Sequence, residues 1–345
     1  MKKMLALLLA LVMVLSLAAC ASSQPAAAST ETAETTETTE PAAEESAEAP
    51  AESGKTYTVG VCQLVQHEAL DAATQGFVDA LKEELGDAVT VDVQNASGDS
   101  VNCGTIVNGF VSKGVDLIMA NATPALTAAV SATADIPILG TSITAYGVAL
   151  DIDDFNGTVG GNISGTSDLA DLQAQVQMIL DWFPETKTVG LLFCSAEPNS
   201  RYQIDEVRKA LEAKGVTCEE FAFTDSNDVS SVTQKAADFS DVVYIPTDNT
   251  AASNTEAIAN VLIPAGVPAV CGEEGLCRGC GVATLSISYY DLGVTTGKMA
   301  AKILKGEADI STMPVEYTDA TPKYNASVCE QLGITPLDGY EAIDG

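Results

Sequence analysis

Short apolar runs alternate with longer amphipathic runs from residue 57 to residue 304, and no other feature restricts the fold so much. Extended apolar stretches occur at 57–61, 89–93, 115–119 and 136–139. Segments 69–85, 101–112 and 124–132 lie between them with helical apolar spacing. A second series has helix-like segments at 169–182, 201–213, 229–237, 255–264 and 292–304. Its strand-like segments are 188–193, 217–222, 242–245, 267–270 and 282–286. Strands and helices in turn predict parallel sheets with right-handed crossovers. Two such series predict an α/β chain of two lobes.

In open parallel sheets the ligand sits outside the carboxyl ends of the strands. The residues just after each expected strand are therefore the informative ones. They include Gln66-His67-Glu68, Gln94-Asn95, Asn121-Ala122-Thr123 and Thr141-Ser142 in the first series. In the second they include 195–200, Thr247-Asp248-Asn249 and Gly272-Glu273-Glu274. Turns and helix caps favour the same residue types, so each segment alone has an ordinary structural reading. The whole set on one edge of each sheet predicts a polar cleft.

The first 20 residues read as an export signal: Lys2 and Lys3, then an apolar run over 4–17. That run is shorter than the ~20 residues of a membrane span. It ends in Leu17-Ala18-Ala19-Cys20, which looks like a bacterial lipobox, with Cys20 as the lipidated residue. Two acyl chains there would anchor the protein stably to the outer face of the cell membrane. Segment 21–54 holds Ala, Ser, Thr, Pro and eight Glu, with no Lys or Arg. It has nothing large to bury and reads as a disordered, extended tether.

The net charge of −32 speaks against nucleic acid as a partner, since phosphate binding needs clustered Lys and Arg. His67 is the one histidine, so a zinc site with several His ligands is excluded. No nucleophile, base and acid are placed together, so no catalytic residue, cofactor or metal is assigned and the chain does not read as an enzyme.

Segments 66–71, 94–96, 122–125, 162–165, 246–250 and 289–293 occur in an order that resembles the substrate-binding lipoproteins of ABC importers, in the group with tryptophan- and tyrosine-binding members. The resemblance covers about 57–335. It implies the type I periplasmic binding protein fold: two Rossmann-like lobes joined by three crossovers. It also implies a ligand enclosed by hinge closure and passed to a permease driven by an ATPase. On this reading the N-terminal lobe is 56–160 plus 290–314 and the C-terminal lobe is 161–289 plus 315–345. The crossovers would lie at 149–161, 286–290 and 313–323, with Gly157, Gly160 and Gly161 suited to bending. Glu68 departs from the family pattern, where a Pro commonly follows the His, and 145–147 departs where an Asp-Pro turn is frequent.

Three Arg, namely Arg201, Arg208 and Arg278, leave little scope for a bidentate carboxylate clamp in the cleft. A ligand carboxylate would instead meet backbone N–H groups and side chains at Asn121, Thr123, Ser142, Asn199 and Ser200. An ammonium would need acids, for which Asp248 and Glu273 are the candidates; both also suit helix starts. Gln66, His67 and Asn249 complete the polar set. Tyr146, Tyr289 and Tyr290 are the nearby aromatics, and only one of the 289–290 pair, taken as Tyr289, should face inward if the segment is extended. The expected solute is an amino acid, with aromatic ones among the candidates, bound by a monomer. Two rival readings stand beside this. One is a sensor ectodomain. The other is a thiol or metal-binding protein built on Cys271, Cys277 and Cys280 with Glu273. Cys277-Arg278-Gly279-Cys280 has metal or redox spacing but no second such pair.

Overall fold

The computed structural model describes residues 55–343. The expected signal, lipobox and tether lie outside the described residues. The chain begins with β1 (Tyr57–Gln63), α1 (Glu68–Leu85), β2 (Val89–Asn95), α2 (Ser100–Lys113), β3 (Leu117–Asn121), α3 (Thr123–Ala132) and β4 (Ile138–Ile143). A short α4 (Tyr146–Ala149) and β5 (Ile163–Ser167) follow. The second series is α5 (Leu172–Trp182), β6 (Thr188–Cys194), α6 (Pro198–Ala213), β7 (Thr217–Phe223), α7 (Val229–Phe239), β8 (Val242–Ile245) and α8 (Asn249–Ala252). It continues with α9 (Thr255–Ala265), β9 (Ala269–Cys271), α10 (Glu274–Cys280) and β10 (Ala283–Ile287). The chain closes with α11 (Tyr289–Lys305), β11 (Glu316–Tyr317), β12 (Ala320–Tyr324), α12 (Ala326–Leu332) and β13 (Glu341–Ala342).

The first sheet has the order β11-β5-β4-β3-β1-β2, with every pair parallel. The second has the order β13-β12-β10-β9-β8-β6-β7, parallel except for β10 against β12. Helices cover both faces of each sheet. β3, β4 and β8 are therefore buried throughout and read as unbroken apolar or small-residue runs. The two-lobe expectation holds, and so do most of the expected elements to within a few residues.

Three crossovers join the lobes, but one is not where the sequence placed it. β5 belongs to the first sheet, beside β4, so the chain first crosses after Ser167, on its way to α5. Segment 149–161, with its three glycines, stays within the first lobe. β5 reads Ile-Ser-Gly-Thr-Ser and lacks an apolar run, so the pattern hid it. Its Thr166 is buried, and the hydroxyl meets those of Thr141 and Thr296 at 3.1 and 2.9 Å. The second crossing, between β10 and α11, falls as expected. The third falls at 318–319, between β11 in the first sheet and β12 in the second. The expected lobe limits are thus corrected: 163–167 and 316–317 belong with the first sheet.

α11 returns to the first lobe and lies against α1. Their backbones touch: a Cβ on Gly293 would strike the Ala73 carbonyl, and one on Gly76 would strike that of Tyr290. This contact brings the start of α11, and with it Tyr289, up against the start of α1, where His67 sits. Ala69, Ala73, Ile287, Tyr289 and Leu292 form a small apolar cluster where the second crossing passes between the lobes.

Candidate functional site

The carboxyl ends of both sheets face one another and close around a small cavity. Its volume is ≈ 10 Å³, about what one water molecule needs. The lobes are shut, and hydrogen bonds and ion pairs bridge them. His67, before α1, meets Asn249 of α8 at 3.2 Å. Glu68 of α1 pairs with Arg278 of α10 at 3.1 Å, and Arg278 also pairs with Glu274. Glu68 is therefore one half of an interlobe ion pair at the rim.

Seven expected residues line the cavity: His67, Ser142, Asn199, Asp248, Asn249, Glu273 and Tyr289. Four do not. Gln66 is exposed at the outer edge of the cleft. Asn121 is turned into the first lobe, where its amide donates to the Leu70 carbonyl at 2.9 Å and the Thr74 hydroxyl at 3.0 Å. Thr74 in turn donates to Gln63, whose amide holds Asp71 and the Val65 carbonyl. This buried chain fixes the loop that carries His67. Thr123 is buried at the start of α3 and Ser200 is buried in α6, both away from the cavity wall. Leu70, Thr144, Asp168, Thr247 and Ala252 line it as well, and none of them was among the expected site residues.

The aromatic candidates divide. Tyr289 points inward and donates to Asp168 at 2.9 Å. Tyr290 is exposed and bonds to Asp79. The pair opens a helix rather than an extended segment, so the split follows the helical turn and not strand alternation. Tyr146 is buried beneath the site, stacked on Phe155, with its hydroxyl on the Thr166 carbonyl. Arg201 and Arg208 both pair with Glu220 on the outer side of the second lobe.

Asp168 sits at the first crossing and Tyr289 at the second, so their hydrogen bond ties two hinge segments together inside the cavity. Burial raises the Asp168 pKa above the usual carboxylate range, opposed by the hydroxyls of Tyr289 and Thr144. Burial likewise pushes Glu273 up to about 7. Asp248 is raised by burial and by the nearby Glu197 carboxylate. Asp248 and Glu273 are committed to local structure. Asp248 takes the backbone N–H groups of Cys194 and Ala251, and Glu273 those of Gly275 and Leu276, as caps of α8 and α10.

Glu197 is the organiser of the second-lobe wall. Its carboxylate, 5% exposed, accepts from the backbone N–H groups of Asn249 and Thr250, from their side chains, and from the Asn199 amide. With its amide nitrogen given to Glu197, Asn249 presents Oδ1 to His67. His67 Nε2 must then carry the proton. Burial lowers the His67 pKa, so the ring is neutral and Nδ1 is a bare acceptor.

Four buried polar atoms on the cavity wall have no hydrogen-bond partner: His67 Nδ1, Ser142 Oγ, Asp168 Oδ1 and Asn199 Oδ1. Three are acceptors, since the Asn199 amide nitrogen is spent on Glu197, Ser200 and Thr247. Leaving such groups unpaired costs about 1–3 kcal/mol each. The cavity therefore demands a donor-rich group. Ser142 also holds φ +55° and Ala122 φ +88°, left-handed conformations that strain a residue with a Cβ by about 1–3 kcal/mol. Both lie at strand ends that face the cleft.

The eight cysteines among the described residues are buried and free. No group of three or more His, Cys, Asp or Glu among the described residues is placed to hold a metal ion. Cys277 and Cys280 lie on the buried side of α10.

The sequence matches the ABC transporter substrate binding protein family over residues 58–339. It is 32% identical over 276 residues to the tyrosine-binding protein of Clostridioides difficile (strain R20291), covering 78% of this chain and 79% of that protein. The ABC domain from Streptococcus pneumonia in complex with L-Trp is 32% identical, with a TM-score of 0.79 over 84% of this chain and all of that one. A ligand-free, open structure of a substrate binding protein with adhesive properties from Clostridium difficile is also 32% identical over 84% of this chain and 99% of that one, but its TM-score is 0.64. At equal identity, the lobes here are arranged more like those of the L-Trp complex than those of the open form.

Proposed function

The chain belongs to the ABC transporter substrate binding protein family, and from that premise we propose that it captures a free α-amino acid between its lobes and delivers it to an importer. The observation that carries this reading is the set of unpartnered acceptors on the cavity wall. An ammonium has three N–H donors and no acceptor. Asp168 Oδ1 supplies the charge, and His67 Nδ1 and Asn199 Oδ1 supply further acceptors. Among the lining residues there is no Lys or Arg to repel it. The ligand carboxylate is left to the hydroxyls of Ser142 and Thr247. Protonation of a share of Glu273 near pH 7 lowers the negative charge that this end of the ligand would meet.

The names of the relatives support an amino acid, and the tyrosine- and L-Trp-binding proteins bring an aromatic one into the range. The expected lipid anchor at Cys20 and the acidic tether would hold the binding unit outside the cell membrane, within reach of a permease and its ATPase. No described helix is long and apolar enough to cross a membrane.

A thermal-shift screen of the protein, unfolded and refolded to strip carried solute, tests the proposal. The panel is the twenty amino acids, common nucleosides and simple sugars. A ligand at 100 times its Kd adds about 2.7 kcal/mol, which for a domain of this size raises Tm by about 5 °C or more. Shifts confined to amino acids are expected. A shift with a sugar or nucleoside alone would refute the proposal.

A further inference from the structure

A charged cluster spans the two lobes at the rim of the cleft. Glu68 opens α1 in the first lobe, while Glu274, Arg278 and Lys323 belong to the second. Arg278 Nη2 lies 3.1 Å from Glu68 Oε1 and 2.8 Å from Glu274 Oε1, so one guanidinium nitrogen holds a carboxylate from each lobe. Lys323 takes the other oxygen of Glu274. Glu274 stands one helical turn before Arg278 on α10, and Lys323 reaches it from β12. The second-lobe trio thus fixes the guanidinium, which gives up little freedom on meeting Glu68. Glu68 and Arg278 also lie directly outside the cavity, beside His67, Ala252 and Glu273 of its wall.

Of these pairs, only the one to Glu68 depends on the lobes being shut. A contact made in one state alone shifts the balance toward that state by its own free energy. Arg278 does more than add a contact. Without it, closing would bring Glu68 toward Glu274 and toward the buried Glu273, whose carboxyl already feels both as like charges. We infer that Glu68 and Arg278 form an electrostatic latch, which turns a like-charge barrier to closure into an attraction. The Glu68 side chain is 52% exposed and that of Arg278 34%, so dissolved salt screens the latch. The hydrogen bond between His67 and Asn249 also joins the lobes, but it is neutral and escapes that screening. The latch acts whichever solute binds.

Single-molecule energy transfer in the unliganded protein tests this, with dyes at the exposed positions Thr105 on α2 and Lys235 on α7, one on each lobe. It reads the ratio of closed to open molecules for the wild type, Glu68→Gln and Arg278→Gln. At about 0.02 M salt, Glu68→Gln should lower that ratio by about twofold to fivefold, the range of an exposed ion pair. Arg278→Gln, which also leaves the carboxylates facing one another, should lower it by about fivefold or more. At about 0.5 M salt all three proteins should agree within about twofold. With a net charge of −32, salt also relieves general repulsion between the lobes, so the proteins are compared with one another at each salt concentration. If Arg278→Gln melts early, Glu68→Gln, on the other lobe, carries the test. A deficit of the same size at both salt concentrations, or none at either, would overturn the inference. So would a wild type no more closed than Glu68→Gln at low salt.

Discussion

Asp168→Asn is expected to weaken amino-acid binding by about tenfold to a hundredfold while leaving the melting temperature of the unliganded protein unchanged or higher. Asp168 Oδ2 accepts from Tyr289, and an asparagine oxygen can do the same, so the tie between the two crossings survives. What disappears is the negative charge beside the unpartnered Oδ1. A charge-assisted hydrogen bond is worth about 1.5–3 kcal/mol, which sets the range of the loss. The stability side runs the other way. Burial raises the Asp168 pKa, so the folded state holds this proton more tightly than the unfolded state does. The charged form therefore costs stability as pH rises through the window above the ordinary carboxylate pKa, and the amide escapes that cost. Binding has the opposite dependence: wild-type affinity should fall as pH falls through the raised pKa, and the variant should lose this dependence. Calorimetry across pH, with melting curves at the same values, checks both. Unchanged affinity at neutral pH would remove Asp168 from the ligand's ammonium.

Glu197→Ala should destabilise the fold itself. The carboxylate satisfies two backbone N–H groups and three side-chain donors. Alanine leaves the Asn249 and Thr250 N–H groups buried without partners, at about 1–3 kcal/mol each, together with a cavity. A loss of about 3 kcal/mol or more, or a fall in Tm of about 5 °C or more, is expected. Asn249 also loses the contact that turns Oδ1 toward His67, so ligand affinity should fall with stability. Glu197→Gln should recover only part of this, because its amide nitrogen would face N–H donors. A Glu197→Ala protein that melts like the wild type would show that the 249–250 segment is held by something other than this carboxylate.

The periodicity of the chain carried most of the fold, because strands sealed between helix layers must be apolar. It failed at β5, whose threonine hydroxyls are satisfied by other threonines, so a buried strand looks like a polar loop. That one omission moved the first crossing and hid Asp168, the residue that follows β5. Glu197 was invisible for another reason. An acid before a helix is ordinary, and only the three-dimensional path of 249–250 brings five donors to it. Position after a strand drew attention to His67, Ser142, Asn199, Asn249 and Glu273, all of which line the cavity. It could not tell which way a side chain turns, so Asn121, which reaches back to Leu70 and Thr74, looked the same as Ser142. Asp248 and Glu273 do face the cavity, yet their oxygens cap helices, and the charge open to a ligand lies on a residue that the strand pattern passed over.

The central claim is that the cavity's unpartnered acceptors bind an ammonium. The most direct measurement is calorimetry with the best-binding L-amino acid beside its N-acetyl derivative, which keeps the carboxylate and side chain but loses the charge and two N–H donors. The account predicts one-to-one binding of the free amino acid and an affinity at least about a hundredfold lower for the N-acetyl form. Equal affinity for the two would contradict it.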